Sequence, residues 1–447
     1  MCSLCTAESV TTITSAAQAV VFARNNSQQL FLQHQRVLEN LHLRRMSFRD
    51  FLPEISFSIA ENDSIAVLAP DSRTKNVQLF VTQPVFNGGR SFLDYKLGRA
   101  SAEYEYKDYL VKEKQFEASV VTAYFQAILT GKKGEVKKNL LDSAKKQLLI
   151  LERETELGKT LETDYLEYQI AYASVASDFR NALWEADQAL QYFRVCMGLS
   201  PQTPIVIKNE EISKESIFYL QDLENYLVSR AKMVSVAIQR MRCEHSYREK
   251  IRRYDERRNL PSITLQGSVS FSGKSWPLTE PVYSLRCTIA FLNRYFPATF
   301  SSGTGWKKGT LQSVSNSGET KILSSSTVGC ERKIAHLDSQ SEQAEIEHTL
   351  RDLEFTVSNA VYEHDCLVDN IELQRKTLTL MDKRLKIDFL RKELGEIKVM
   401  DYLQQLIDLS AAKIGLFEKE VQLQAVRKSL EILLDLPIEI IRGDNEK

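Results

Sequence analysis

Four short stretches of this chain alternate apolar with small polar residues, and the long stretches between them repeat apolar residues at helical spacing. In the first stretch Ile55, Phe57 and Ile59 take one side, while Glu54, Ser56, Ser58 and Ala60 take the other. A polar loop runs from Glu61 to Lys75. Val77, Leu79 and Val81 then alternate with Gln78 and Thr82, up to Gln83-Pro84-Val85-Phe86-Asn87-Gly88-Gly89. A period of two puts successive side chains on opposite faces of a strand, so residues 51–87 read as a β-hairpin with a long turn. The pattern returns at 260–292. There Ile263, Leu265, Val269 and Phe271 alternate with Ser and Thr, a turn spans Gly273 to Pro281, and Leu285, Cys287, Ile289 and Phe291 form a second alternating run.

The rest is helical in rhythm. Residues 1–50 form an N-terminal helical segment with Ala16, Val20, Ala23 and Leu30 on one face. Residues 88–197 read as a long helical hairpin with its tip near 158–164. Its first arm has no proline, and its apolar positions (Phe116, Val120, Ala123, Ala127, Leu141, Ala144, Leu148, Leu151) keep helical spacing. At 1.5 Å per residue such an arm reaches on the order of 100 Å. The second arm carries a heptad, Tyr168/Tyr172, Val175/Phe179, Ala182/Ala186 and Ala189/Phe193, which predicts coiled-coil packing. A connection at 198–220 and a helix at 221–259 lead to the second hairpin. Residues 293–330, rich in Ser, Gly and Thr, read as loop. A second long helical hairpin at 331–438 turns near 395–401, and 439–447 form a tail.

The two halves are duplicates. Leu157-Gly158-Lys159-Thr160-Leu161-Glu162-Thr163-Asp164-Tyr165-Leu166 matches Leu394-Gly395-Glu396-Ile397-Lys398-Val399-Met400-Asp401-Tyr402-Leu403 in its glycine, aspartate, tyrosine and leucines. The tip glycines lie 237 positions apart (395 − 158) and the hairpin prolines, Pro53 and Pro261, 208 apart (261 − 53). The second half therefore carries 29 extra residues (237 − 208), which assigns 293–330 as an insertion between strand and helix.

Glycine (17) and proline (10) are scarce in 447 residues, which favours long helices over a many-turned β fold. A formal net charge of −1 gives no bulk signal for nucleic acid. No stretch approaches the roughly 18 apolar residues of a membrane helix, so a membrane crossing would have to use strands. Each strand has one apolar and one small polar face, which suits a barrel with lipid outside and water inside. Ile55, Phe57, Ile59, Val77, Leu79, Val81, Ile263, Leu265, Val269, Phe271, Leu285, Ile289 and Phe291 are the expected lipid-facing set. Four strands cannot close around an aqueous pore, whereas three chains would supply twelve. The expected fold class is thus mainly α with a small β part, a trimeric twelve-stranded barrel continued by an α-helical barrel. A soluble coiled-coil scaffold with incidental hairpins is the alternative.

At this point the residues resemble the TolC family of outer-membrane efflux proteins over about 11–438. Ala23-Arg24-Asn25-Asn26 with Leu30, Leu52-Pro53-Glu54-Ile55-Ser56, Gln83-Pro84-Val85-Phe86-Asn87-Gly88-Gly89, Ala123-Tyr124-Phe125 and the two Gly-x5-Asp tips follow the family's order. The resemblance implies a homotrimeric export channel of the outer membrane, with its helical part in the periplasm. It implies a passive conduit in a tripartite efflux or type I secretion system, without cofactor or catalysis. The partners it implies are a periplasmic adaptor (membrane fusion) protein, an inner-membrane RND or ABC transporter, and outer-membrane lipid. It also makes Leu157, Gly158, Thr160, Leu394 and Gly395 the turn and adaptor contacts. The chain departs from the pattern at Lys392 and Ile397, where members carry a latching tyrosine and arginine, and at Gln404, where they carry an acid. The second hairpin lacks a clear counterpart of the Pro-Val-Phe-Asn-Gly-Gly run.

Asp164 and Asp401 admit two readings, helix caps at the tip turns or a ring of carboxylates that favours cations at a narrowed pore. The basic run Arg248, Lys250, Arg252, Arg253, Arg257 and Arg258 reads as a solvated helix end or as a contact for lipid headgroups. Cys2 and Cys5 have no second CxxC to complete a zinc site. Gly273-Lys274-Ser275 lacks the upstream glycine of a phosphate loop. The first twenty residues show no basic start and no apolar core of a secretory signal, so an exported chain would need a start that is truncated or misassigned here.

Overall fold

The computed structural model describes residues 11–13, 15–45, 48, 51–64, 72–207, 218–256, 260–278, 280–291, 296–321 and 328–437. Cys2, Cys5, Arg257, Arg258 and the 439–447 tail lie outside the described residues. In chain order the elements are β1 (Thr11–Ile13), α1 (Ala16–Asn26), α2 (Gln28–Arg45), β2 (Glu54–Ser64), β3 (Ser72–Asn87), α3 (Arg90–Glu156), α4 (Glu162–Cys196), β4 (Ile205–Ile207), a 3-10 turn (Gln221–Leu223), α5 (Glu224–Val234), α6 (Val236–Glu256), β5 (Pro261–Gly273), β6 (Pro281–Phe291), β7 (Ala298–Lys307), β8 (Thr310–Thr320), α7 (Val328–Glu393) and α8 (Val399–Leu434). Two compact units share this chain. One takes residues up to Gln35, 108–235 and from Leu350 on; the other takes 36–107 and 236–349.

The first unit is built from helices. The α4 heptad buries Tyr168, Val175 and Ala182 at strict seven-residue spacing, with Phe193 further on. Sustained spacing of this kind keeps one seam on a neighbouring helix over many turns. One apolar cluster joins Ala19 and Ala23 of α1 to Val120, Tyr124 and Ala127 of α3 and to Phe193 and Met197. Ser15 and Ser27 start α1 and α2, each accepting a hydrogen bond from the amide three residues on, at 3.3 Å. β1 and β4 form a short parallel pair, Thr11 opposite Ile205 and Ile13 opposite Ile207, which the three-residue lengths kept out of sight in the sequence.

Both helix tips close in the same way. Lys159 N donates to Glu154 O and Gly158 N to Thr155 O, both at 2.9 Å or less. Glu396 N and Gly395 N repeat this with Arg391 O and Lys392 O. Each is a Schellman turn, and the glycines supply its left-handed residue, with φ of +69° and +77°.

The second unit centres on one antiparallel sheet of order β2-β3-β5-β6-β7-β8. Here the structure corrects the sequence reading. Residues 293–330, expected as loop, contain the β7–β8 hairpin, so the sheet has six strands and not the four expected. The reason is physical. Strand signals rest on apolar alternation, and β7 and β8 (Ala-Thr-Phe-Ser-Ser-Gly-Thr-Gly-Trp-Lys and Thr-Leu-Gln-Ser-Val-Ser-Asn-Ser-Gly-Glu-Thr) are small and polar on most positions. Backbone pairing holds them instead, with β7 meeting β6 from Val282↔Lys307 to Phe291↔Ala298. The polar loop expected from Glu61 to Lys75 is likewise shortened, because β2 runs on to Ser64 and β3 begins at Ser72.

Candidate channel wall and tip

Register decides which side chains share a face of the sheet. Ile55, Phe57 and Ile59 lie opposite Val81, Leu79 and Val77. Across β3, Val77 meets Phe271 and Leu79 meets Val269. Across β5, Ile263 meets Ile289, Leu265 meets Cys287 and Val269 meets Tyr283. Because directly paired residues point the same way, the whole expected lipid-facing set, with Leu285 and Phe291, falls on one face. That face is uncovered: Ile55, Phe57 and Ile59 are each about two-thirds exposed. A contiguous apolar face of this size is not left bare to water in an ordinary soluble sheet.

The opposite face is mostly polar, with Phe80 and Val282 as its larger apolar members. Ser268 and Ser284 hydroxyls meet at 2.6 Å and Ser301 and Ser317 at 2.7 Å. At the turn end of the first hairpin, Arg73 pairs with Glu61 at 2.9 Å and Asp63 at 3.0 Å. The basic run on α6 is largely answered by its own surroundings. Arg248 holds Glu342 at 2.5 Å and Arg253 holds Glu249 at 2.7 Å. The sequence marked Gly88 only as part of a motif. In the structure it takes φ +56° directly under Tyr254, whose hydroxyl donates to the Asn87 carbonyl at 3.1 Å.

At the tips, Asp164 and Asp401 each occupy the first turn of their helix, α4 and α8. The capping positions themselves belong to Leu161 and Lys398, and neither makes a side-chain cap bond. The aspartates thus stand three residues past the cap, where a carboxylate is favoured by the positive end of the helix dipole. Lys398 reaches Asp164 at 3.7 Å, so the second tip lays its lysine beside the first tip's aspartate. Leu157, Leu161 and Leu394 are 70–75% exposed around these turns. Beneath them Ala144, Leu151, Tyr168 and Leu403 form a buried cluster, and the Tyr168 hydroxyl donates to Ala144 O at 3.2 Å. Thr160 turns its hydroxyl to Glu154, at 3.4 Å.

The departures from the family pattern have definite places. Lys392 donates to the Gln147 amide oxygen at 3.1 Å, and its ammonium sits over the rings of Phe389 and Tyr402 at 4.9 and 5.1 Å. Burial holds that ammonium below the usual lysine range. Gln404 bonds Asp408 one turn on, at 3.0 Å, and Ile397 is half-buried at the tip turn. A seam missed from the sequence is Leu373, Leu380 and Ile387 on α7, continued by Leu394 just past its end. These residues follow one another at seven-residue spacing and are all more than half exposed. A second heptad count on that helix would have found it.

No protein-family profile matches the chain, and no curated protein sequence matches it. Solved structures do match. CusC, whose structures concern folding and transmembrane channel formation, superposes with a TM-score of 0.73 at 14% identity, over 94% of this chain and 91% of that one. The Campylobacter jejuni CmeC outer membrane channel gives 0.73 at 13%, over 94% and 85%. The chain has the TolC-like channel fold. A third TolC-like relative in structure, the Neisseria gonorrhoeae MtrE outer membrane channel in its open state, gives 0.70 at 14%, over 94% and 89%. Among the described residues no helix is long and apolar enough to cross a membrane. No group of three or more His, Cys, Asp or Glu is placed to hold a metal among the same residues.

Proposed function

We propose that this chain is one subunit of a homotrimeric outer-membrane channel, a passive duct for cargo delivered by an inner-membrane RND or ABC transporter through a periplasmic adaptor. Tripartite efflux and type I secretion are the two settings such a duct serves. The observation that carries the reading is the sheet, apolar and bare on one face, mostly polar on the other, with the outer sides of its edge strands β2 and β8 open among the described residues. Open edges are intolerable in hydrocarbon, so the sheet must close with further copies. The exposed α7 seam gives the helical unit a surface for the same neighbours, and the bare tip leucines offer an adaptor a grip. A soluble coiled-coil scaffold would account for the heptads and would leave the apolar sheet face without a role.

Purification in detergent followed by native mass measurement tests assembly, with three chains expected. Reconstitution into planar bilayers tests the duct, with stepwise conductance expected. A detergent-free, stable monomer that produces no steps would overturn the proposal.

A further inference from the structure

The β7–β8 hairpin changes which strand faces the next subunit. We infer that closure runs through β8 of one copy and β2 of the next, so that the trimer forms an eighteen-stranded barrel. This rests on the trimeric channel reading and goes beyond it.

In a four-strand sheet the free edges would be β2 and β6. Here β6 is not free. Ten consecutive pairs, Val282↔Lys307 through Phe291↔Ala298, join it to β7. The turn end is tied by Glu280, which takes Lys308 at 2.8 Å and Lys307 in a close ion pair. The other end carries Phe291 and Phe300 edge to face, with ring centres 6.4 Å apart. Closure through β6 would require this whole ladder to be stripped. The edges on offer are β2 and β8, which are both 11 residues long.

Direction agrees with this. The sheet is antiparallel throughout, so β2 and β8, as first and last of six, run oppositely and can pair antiparallel between copies. Parity agrees too. An added hairpin returns the chain to the sheet end it left, since Thr320 lies opposite Ala298 and Ala298 opposite Phe291. α7 therefore starts from the same end as it would without the insertion; a single added strand would reverse it.

The side chains are compatible with both solvents. Ala298, Phe300, Ser302, Thr304 and Trp306 share the apolar face with Ile289 and Leu285, and on β8 Leu311, Val314 and Asn316 join them. No charge lies on this face of the hairpin. Phe300 and Trp306 stand near its two ends, as aromatic residues do at the two interfaces of a membrane barrel. In the middle, the Ser302 hydroxyl donates to the Asn316 side-chain oxygen at 2.9 Å, which lowers the cost of placing both in hydrocarbon. The other face carries Ser301, Gly303, Gly305, Ser313, Ser315 and Ser317 along its middle and Lys307 and Glu319 towards its ends, polar as a water-filled lumen requires.

The consequence is width. With strands about 4.8 Å apart and tilted about 40°, eighteen give a backbone diameter of about 36 Å where twelve give about 24 Å. The duct at the membrane would admit correspondingly bulkier cargo.

Cysteine pairing in the full chain tests this, after the seven native cysteines are replaced by serine. Ser58→Cys on the lumen face of β2 is combined in turn with Ser313→Cys, Ser315→Cys and Ser317→Cys on β8, and with Ser284→Cys and Thr288→Cys on β6. A short thiol cross-linker is applied to membranes. Bands of two and three chains from at least one β2–β8 pair, and none from β2–β6, are expected. A trimer that cross-links through β2–β6 and not through β2–β8 overturns the eighteen-stranded barrel and leaves the channel reading standing. Absence of any trimer overturns both. As a readout independent of the cysteine variants, the unmodified trimer is also imaged in detergent by electron microscopy. A barrel near 24 Å in backbone diameter would sink the inference, and one near 36 Å would support it.

Discussion

The buried ring of His364 accepts a hydrogen bond through Nε2 from Arg427 Nε, at 3.2 Å. Its Nδ1 lies 2.8 Å from Asp365, whose carboxylate also takes the backbone amides of Leu220 and Gln221. Arg427 in turn rests over the Phe218 ring. One nitrogen must accept from a guanidinium, so the folded state holds this imidazole neutral. Burial, helped by the charge of Arg427 and opposed by Asp365, keeps its pKa below the ordinary 6.5.

The sign of the pH dependence follows. As pH falls through about 6.5 the unfolded chain takes up a proton at His364 that the folded chain refuses. Stability is therefore lost from about pH 6.5 downward, until pH reaches the lowered folded value. Urea unfolding of the detergent-solubilised protein, followed by helical circular dichroism between pH 5 and 8, should show this slope. His364→Gln should flatten it. An unchanged slope in that variant would mean that other groups carry the acid sensitivity.

Gly88 and Tyr254 should behave as a coupled pair. A Cβ on Gly88 would fall 1.8 Å from the Tyr254 hydroxyl, and φ +56° is itself unfavourable for alanine. The backbone contribution to Gly88→Ala is about 1–2 kcal/mol, and the clash adds to it. Tyr254→Phe alone should cost about 1 kcal/mol for the lost hydrogen bond to Asn87. In a Tyr254→Ala background Gly88→Ala should cost only its backbone part. A double-mutant cycle on thermal stability reads the difference, and strict additivity would refute the contact.

The sheet register predicts unequal tolerance at adjacent positions. Val269 pairs with Leu79 and Tyr283 on the apolar face, while Ser268 bonds Ser284 on the other. Val269→Arg near the middle of β5 should destabilise the barrel by roughly 2–4 kcal/mol if that face meets lipid. Ser268→Arg, directed into water, should be mild. Folding titrations in lipid vesicles compare the two, and equal costs would reject the assignment of faces.

Much of this was legible because periodicity is the strongest local signal. The duplicated Gly-x5-Asp tips gave both helix reversals, and the Tyr168, Val175, Ala182 repeat gave a buried seam. Strict alternation gave β2, β3, β5 and β6 with the right residues on one face. What stayed hidden lacked such a pattern. Ser301, Ser302, Gly303 and Gly305 read as loop because small polar residues in a strand resemble those in a coil, and only pairing with β6 tells them apart. The Lys398–Asp164 contact joins the tips of the two halves, and the His364–Arg427 bond spans 63 residues between two helices, α7 and α8. No local window contains such partners. The environment of Lys392, flanked by Phe389 and Tyr402, was unreadable for the same reason.

The tip offers a test in which two substitutions should act with opposite sign. If three copies surround a pore at the tip, Asp164, Asp401 and Lys398 repeat around its axis, and the local charge sets how strongly a divalent cation is held there. Asp401 is exposed in the first turn of α8, and Asp164 is partly answered by Lys398 at 3.7 Å. An exposed pair at that distance contributes little to stability, so all three can be changed without loss of assembly. Asp164→Ala with Asp401→Ala should weaken block of single-channel current by divalent cations. Lys398→Ala should strengthen the block, because it removes a positive charge and leaves the carboxylates. Both effects should shrink as ionic strength rises, since exposed charges are screened over about 10 Å at 0.1 M salt. Block that is indifferent to all three substitutions would leave the aspartates as partners of the helix dipole and place the cation site elsewhere.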